Sequence, residues 1–136
     1  MKNSKLELNT PDDAEAVYYE AFMHCDKDVM AALWADGNVI CIHPSSGAIV
    51  GHDSVSRSWS HIFSNAQRPD ITFKVLKKTV IDGLAVHLVV EEISTGNTVA
   101  TQVLATNIYQ KLESGWLMIQ HHASLVQTNK RGQTLQ

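Results

Sequence analysis

Apolar residues recur along the chain in two rhythms, and the change between them falls near Pro69. Before it, Ala14, Val17, Tyr18, Ala21 and Phe22 follow the three-and-four spacing of a helix face. Thr10-Pro11-Asp12-Asp13 supplies its start: a capping hydroxyl, a proline suited to the first helical position, and acids at the positive end of the dipole. A short second helix is predicted from Asp26 or Asp28 through Val29, Met30, Leu33 and Trp34, ended by Asp36-Gly37. Val39 to His43 reads as a buried strand, stopped by Pro44 and the Ser45-Ser46-Gly47 turn. A third helix is predicted from about Asp53 to Asn65, with Val55, Trp59, Ile62 and Phe63 on its apolar face. After Pro69 the period shortens, and Ile71–Ile81, Leu84–Ser94, Thr98–Lys111 and Trp116–Val126 read as four long strands. Asp82-Gly83, Thr95-Gly96-Asn97 and Glu113-Ser114-Gly115 are the turns between them.

Helices followed by a meander of strands predict an α+β fold: a cone-shaped, curved antiparallel sheet with three helices packed on its concave side. The interior of such a cone is a natural site for a small ligand. The 136 residues make one domain, with an ordered core expected over about 10–126 and mobile polar ends at Met1–Asn9 and Gln127–Gln136. The long strands would leave a half-apolar outer sheet face, which predicts a homodimer.

Charge narrows the partners. Eleven basic and 14 acidic residues give a formal charge of −3 without a basic stripe, so no nucleic-acid partner is expected. The chain holds no run of roughly 18 apolar residues and no apolar leader at its start, so no membrane partner and a cytoplasmic location are expected. Cys25 and Cys41 stand apart and should be reduced filler. The seven histidines form no helical His-x-x-x-His pair or Cys/His cluster, so no metal is expected.

The pattern Ile42-His43-Pro44, Val50-Gly51, Ser58-Trp59, Gly115-Trp116 and His122-Ala123-Ser124 resembles the SnoaL-like group of the nuclear transport factor 2-like superfamily. It is also similar to the association domain of calcium/calmodulin-dependent kinase. The resemblance runs from about Thr10 to Val126 and implies the cystatin-like cone. Ketosteroid isomerases share this fold. That likeness implies that Tyr19 takes the place of their oxyanion-donating tyrosine and that His43, before Pro44, takes the place of their general-base aspartate. It puts Asn107 where they carry an aspartic acid, so two of the three positions are changed in type. Likeness to the kinase domain implies that Asn107, His121 and Ala123 face the pocket, with Ala123 replacing a pocket arginine and its anion site.

The substituted set keeps a coherent chemistry. Histidine accepts a proton near neutral pH, while Tyr19 and Asn107 are hydrogen-bond donors for a developing enolate oxygen. That combination predicts proton abstraction beside a carbonyl, as in an isomerase or lyase, with no cofactor. The expected partner is a small apolar or carbonyl-containing molecule, held by Trp59, His87, Val89 and His121. Structural alternatives remain for each residue: Tyr19 and Trp59 as plain core, His43 bonding a backbone carbonyl, and Asn107 in a cross-strand bond. Glu91 and Glu92 point to opposite sides, and one of them enters the cone as a further acid or base. A non-catalytic ligand-binding module and an oligomeric assembly domain are the alternative functions.

Overall fold

A computed structural model describes residues 6–65, 67–96 and 99–127. Helix α1 (Pro11–His24) begins as its sequence dictates: the Thr10 hydroxyl accepts from Asp13 N at 3.1 Å, and the Asp13 carboxylate accepts from Thr10 N at 3.2 Å. Asp26 caps α2 (Lys27–Leu33) by accepting from Val29 N. This helix stops before the expected Asp36-Gly37 signal. Trp34 turns extended to form a bridge with Met118, and Ala35 N donates to Met118 O at 3.0 Å. Helix α3 (His52–Asn65) follows, anchored to α2 where His52 Nε2 donates to Ala31 O.

The strands are β1 (Ile40–Ile42), β2 (Ala48–Val50), β3 (Asp70–Ile81), β4 (Leu84–Ser94), β5 (Thr101–Leu112) and β6 (Gly115–Leu125). They form one sheet in the order β2-β1-β6-β5-β4-β3. The four long strands make the expected antiparallel meander, closed by Asp82-Gly83 at the first turn. Thr98, the expected start of β5, and Asn97 lie outside the described residues. The sheet departs from a purely antiparallel one at a single pairing, β1 with β6, which is parallel. β2 was not expected; it pairs antiparallel with β1 across the Pro44–Gly47 turn.

The N-terminal segment is not wholly a polar tail. Leu8 is 3% exposed, and its carbonyl accepts from Trp116 N at 2.8 Å. This close approach explains Gly115: a Cβ there would sit 2.8 Å from Leu8 O, and its φ of +128° disfavours any side chain. Alternation then sorts the sheet into two faces. Ala85, His87, Val89 and Glu91 of β4, Val103, Ala105, Asn107 and Tyr109 of β5, and Met118, His121 and Ala123 of β6 are buried on one face, where Val103, Ala105 and Ala123 make a small cluster of their own with Ile93. Tyr18, Tyr19, Leu33, Trp34, Val55 and Trp59 fill the cone from the helical side.

Candidate functional site

Strand register lines up the chemistry before any side chain is considered. His87 pairs with Asn107, Asn107 with His121, and His121 with Cys41, so four chemistry-bearing residues form one row across four strands. Helix α1 sets Glu15 and Tyr19 above that row. They are four apart and therefore share a helix face.

Glu15 and Asn107 organise the inner end. The Glu15 carboxylate accepts from Tyr109 Oη at 2.9 Å and Asn107 Nδ2 at 3.2 Å, and its other oxygen lies 2.8 Å from His87 Nδ1. Asn107 Nδ2 also donates to Tyr19 Oη at 3.0 Å. Tyr19 in turn donates to Glu91 Oε2 at 2.5 Å. With both Asn107 amide hydrogens committed, its Oδ1 faces His121 Nδ1 at 2.5 Å, and the histidine must donate. Burial lowers the His121 pKa to about 3, with His43 and His122 adding to the effect, so the ring is neutral and its Nε2 carries the lone pair.

Burial also raises Glu91 to about 7, against the partly offsetting Tyr19 hydrogen bond. Tyr19 itself is raised by burial and then by the neighbouring Glu91. Glu91 is therefore the inward member of the acidic pair at 1% exposure, while Glu92 is exposed.

His43 sits apart from this hub, half-buried at the end of β1. Its Nε2 lies 2.9 Å from Ser58 Oγ, and that hydroxyl donates to Val55 O at 3.1 Å. His43 therefore donates through Nε2, leaving Nδ1 as the basic nitrogen. Burial lowers its pKa. Its ring meets Trp59 edge-on at 4.9 Å. Cys41 Sγ lies 3.7 Å from His43 Nε2, but burial raises the thiol to about 12, so no thiolate–imidazolium pair forms.

Of the seven residues expected at the site, Tyr19, Asn107, His87 and His121 join one hydrogen-bonded hub. Val89 is buried on the same strand face, between His87 and Glu91. Trp59 packs on both His43 and His121, with ring centroids at 4.9 and 6.5 Å. His43 makes no hydrogen bond to Tyr19 or Asn107 among the described residues. The donor hydrogens of Tyr19 and Asn107 are both taken within the hub.

Sequence reading missed Glu15, Tyr109, Tyr18 and Ser58 as site residues. Glu15 was detectable from its four-residue spacing to Tyr19, and Tyr109 from its two-residue spacing to Asn107.

Asp12, Glu15 and His87 bring three potential metal-ligand atoms within 4.8 Å. Asp12, however, is drawn to Lys78 Nζ at 2.9 Å, and Glu15 to His87. Both acids thus already have basic partners. Surface recesses of about 320 to 370 Å³ lie elsewhere, such as the groove between Val17, Ala21 and Val29, and none of these touches the hub.

Three helices closed over a six-stranded sheet with a polar inner row define the nuclear transport factor 2-like cone. The chain belongs to the SnoaL-like domain family, whose model matches residues 13–128. It is similar to a Thiobacillus denitrificans structure described as a calcium/calmodulin-dependent protein kinase type II association domain. That match has a TM-score of 0.84 at 34% identity and covers 88% of this chain and 98% of the other. It is also similar to an NTF2-like family structure from Streptomyces avermitilis described as a dehydratase, with a TM-score of 0.78 at 26% identity over 85% and 93% of the two chains. Among curated proteins, it is 26% identical over 98 residues to the Arabidopsis thaliana F-box protein SKIP8. That match covers 71% of this chain and only 41% of the F-box protein. No helix among the described residues is long and apolar enough to cross a membrane.

Proposed function

We propose that this chain binds a small uncharged molecule in its cone and abstracts a proton beside a carbonyl, as a cofactor-independent isomerase or lyase. The observation that carries this reading is His43. It is half-buried, neutral, oriented by Ser58 and set edge-on to Trp59, with Nδ1 left as a base. Tyr19 is the companion donor. When Glu91 holds a proton it donates to Tyr19 Oη, which releases the phenol hydrogen for an oxyanion. Asn107 orients that phenol through its amide. Trp59, Val89, His87 and His121 form the walls.

The outer sheet face favours a homodimer as the working unit in the cytoplasm: Val86 and Leu104 are each 36% exposed beside Leu88, Val90 and Ile108. Native mass measurement should give twice the chain mass. A monomer would remove the dimer from the proposal.

The catalytic test requires no knowledge of the natural substrate. Exchange of α-hydrogens for deuterium in small neutral ketones and enones can be followed by proton NMR in D₂O. Acceleration by the wild type and its loss in a folded His43→Gln variant are expected. Equal exchange in the variant rejects His43 as the base. A protein that binds these ketones without accelerating exchange is a ligand-binding module instead.

A further inference from the structure

Among the described residues four buried side-chain groups lack a well-formed hydrogen bond, Tyr18 Oη, Trp34 Nε1, Ser56 Oγ and Trp59 Nε1. Of these, Tyr18 and Trp59 pack together on His121, where the only polar neighbour of Trp59 Nε1 is the weakly accepting Cys41 thiol. Tyr18 is 0% exposed and Trp59 2%. Their rings meet at 5.8 Å, and both pack on His121, with Tyr18 at 5.1 Å and Trp59 at 6.5 Å. A buried unpaired donor is costly and uncommon, and Tyr18 Oη, packed ring to ring with an indole N–H that has only a thiol to meet, calls for an explanation. Tyr18 stands next to Tyr19, whose hydroxyl is fully engaged, so a partner within the hub was structurally available to one tyrosine and not to the other.

We infer that Tyr18 Oη and Trp59 Nε1 are the docking donors for one acceptor oxygen of an uncharged ligand, a carbonyl in the first instance. The inference rests on the small-molecule reading above and adds which residues hold the oxygen and what the site rejects. Both groups only donate in this role, so the atom they receive must accept.

Charge selects further. The buried polar residues among those described are Glu15, His87, Glu91, Asn107 and His121, with no lysine or arginine. A carboxylate entering this interior would meet the acidic Glu15 and Glu91 and the neutral His121 imidazole and would lose its water without a lysine or arginine in return. His121 adds one more preference. Its Nε2 carries a lone pair because Nδ1 donates to Asn107, so a ligand hydroxyl near it would be accepted rather than repelled. His43, edge-on to the same indole, is only half-buried.

The first arm of the test needs no ligand. Tyr18→Phe removes an unpaired hydroxyl and should raise Tm by about 3 °C. A fall in Tm means that the hydroxyl already has a structural partner, and it overturns the inference.

The second arm uses acetophenone, benzoate and ethylbenzene as matched probes on nitrogen-15-labelled full-length protein, read at the Trp59 Nε1–H resonance and assigned with Trp59→Phe. Acetophenone should move that signal downfield, and Tyr18→Phe should weaken its binding about tenfold while changing ethylbenzene binding less than twofold. Benzoate should bind at least tenfold more weakly than acetophenone. An unmoved Trp59 signal up to millimolar acetophenone, or benzoate binding as tightly, contradicts the assignment. If these results hold while His43→Gln leaves α-hydrogen exchange unchanged, the oxygen site stands and the catalytic reading falls alone.

Discussion

In the hub Glu15, Asn107, Tyr19, Glu91 and Tyr109 are tied together by hydrogen bonds; beside it, around Trp59, Tyr18 Oη has no partner and Trp59 Nε1 has only the Cys41 thiol. The two regions adjoin through the neighbouring Tyr18 and Tyr19 of α1 and have nearly the same burial, so solvent access does not separate them. Satisfaction does. A closed polar network fixes side-chain positions and specifies a unique core. Unpaired donors in the same interior cost stability, which natural proteins retain where binding or chemistry requires it. The hub therefore reads as scaffold, and the region around Trp59 as the place where something arrives.

The contrast can be broken hardest at Asn107. Asn107→Leu leaves the Glu15 carboxylate, Tyr19 Oη and His121 Nδ1 each short of a partner at no cost in side-chain bulk. A loss of about 3–5 kcal/mol is expected from urea unfolding. A loss under about 1 kcal/mol would mean that the hub carries no structural weight.

Next in size is a pH effect. Glu91 has a folded pKa of about 7 against an unbound value of 4.5, so its protonated form favours the native state below pH 4.5, and that advantage is lost as pH rises through 7. His121 works oppositely. Its folded pKa of about 3 lies below 6.5, so its contribution is present above pH 6.5 and is lost as pH falls toward 3. Between pH 4.5 and 6.5 the two slopes oppose each other, each tending to about 1.4 kcal/mol per pH unit when one proton is at stake. Glu91→Gln should leave the histidine slope alone, so stability climbs more steeply with pH than in the wild type. An unchanged profile would show that Glu91 titrates normally.

Smallest is Ser58→Ala, which frees His43 Nε2 from its acceptor. About 1 kcal/mol or less of stability should go. The informative reading is nitrogen-15 NMR of His43, where the Nε2–H form should lose its dominance. A retained Nε2–H form would show that Ser58 does not set the tautomer.

Much of this architecture was legible in the sequence, for physical reasons that also mark where legibility stopped. Period-two runs announced β4 to β6, because each buries alternate residues, whereas the edge strand β3, with Ile71 alone buried, was marked by its bounding Pro69 and Asp82-Gly83. Thr10-Pro11-Asp12-Asp13 announced α1, because its cap is local. The three-residue β2 was invisible: its residues are half-buried to exposed and its pairing depends on a neighbour. The parallel join of β1 to β6 spans about 80 residues of sequence, and no local period encodes it.

Resemblance and candidate-wall reading named Tyr19, Asn107, His87 and His121, which the structure brings into one hydrogen-bonded hub. Parity with His87 and Val89 also selects Glu91 over Glu92. Glu15 hid in plain view, because an acid in the first turn of a helix is already explained by the dipole. The missing partner of Tyr18 and the weak one of Trp59 could not be read at all, since satisfaction is a property of the assembled interior.

Adjacent tyrosines make the most direct test of the division. Tyr18→Phe and Tyr19→Phe each delete one buried hydroxyl from α1, with the same change in volume, so paired thermal and urea unfolding isolates the hydrogen bonding. Opposite signs are expected. Tyr19→Phe should destabilise by about 2 kcal/mol, because Glu91 and Asn107 lose their shared partner, while Tyr18→Phe should stabilise by about 1 kcal/mol. Two losses of similar size would contradict this expectation, because the region around Trp59 would then be as fully satisfied as the hub.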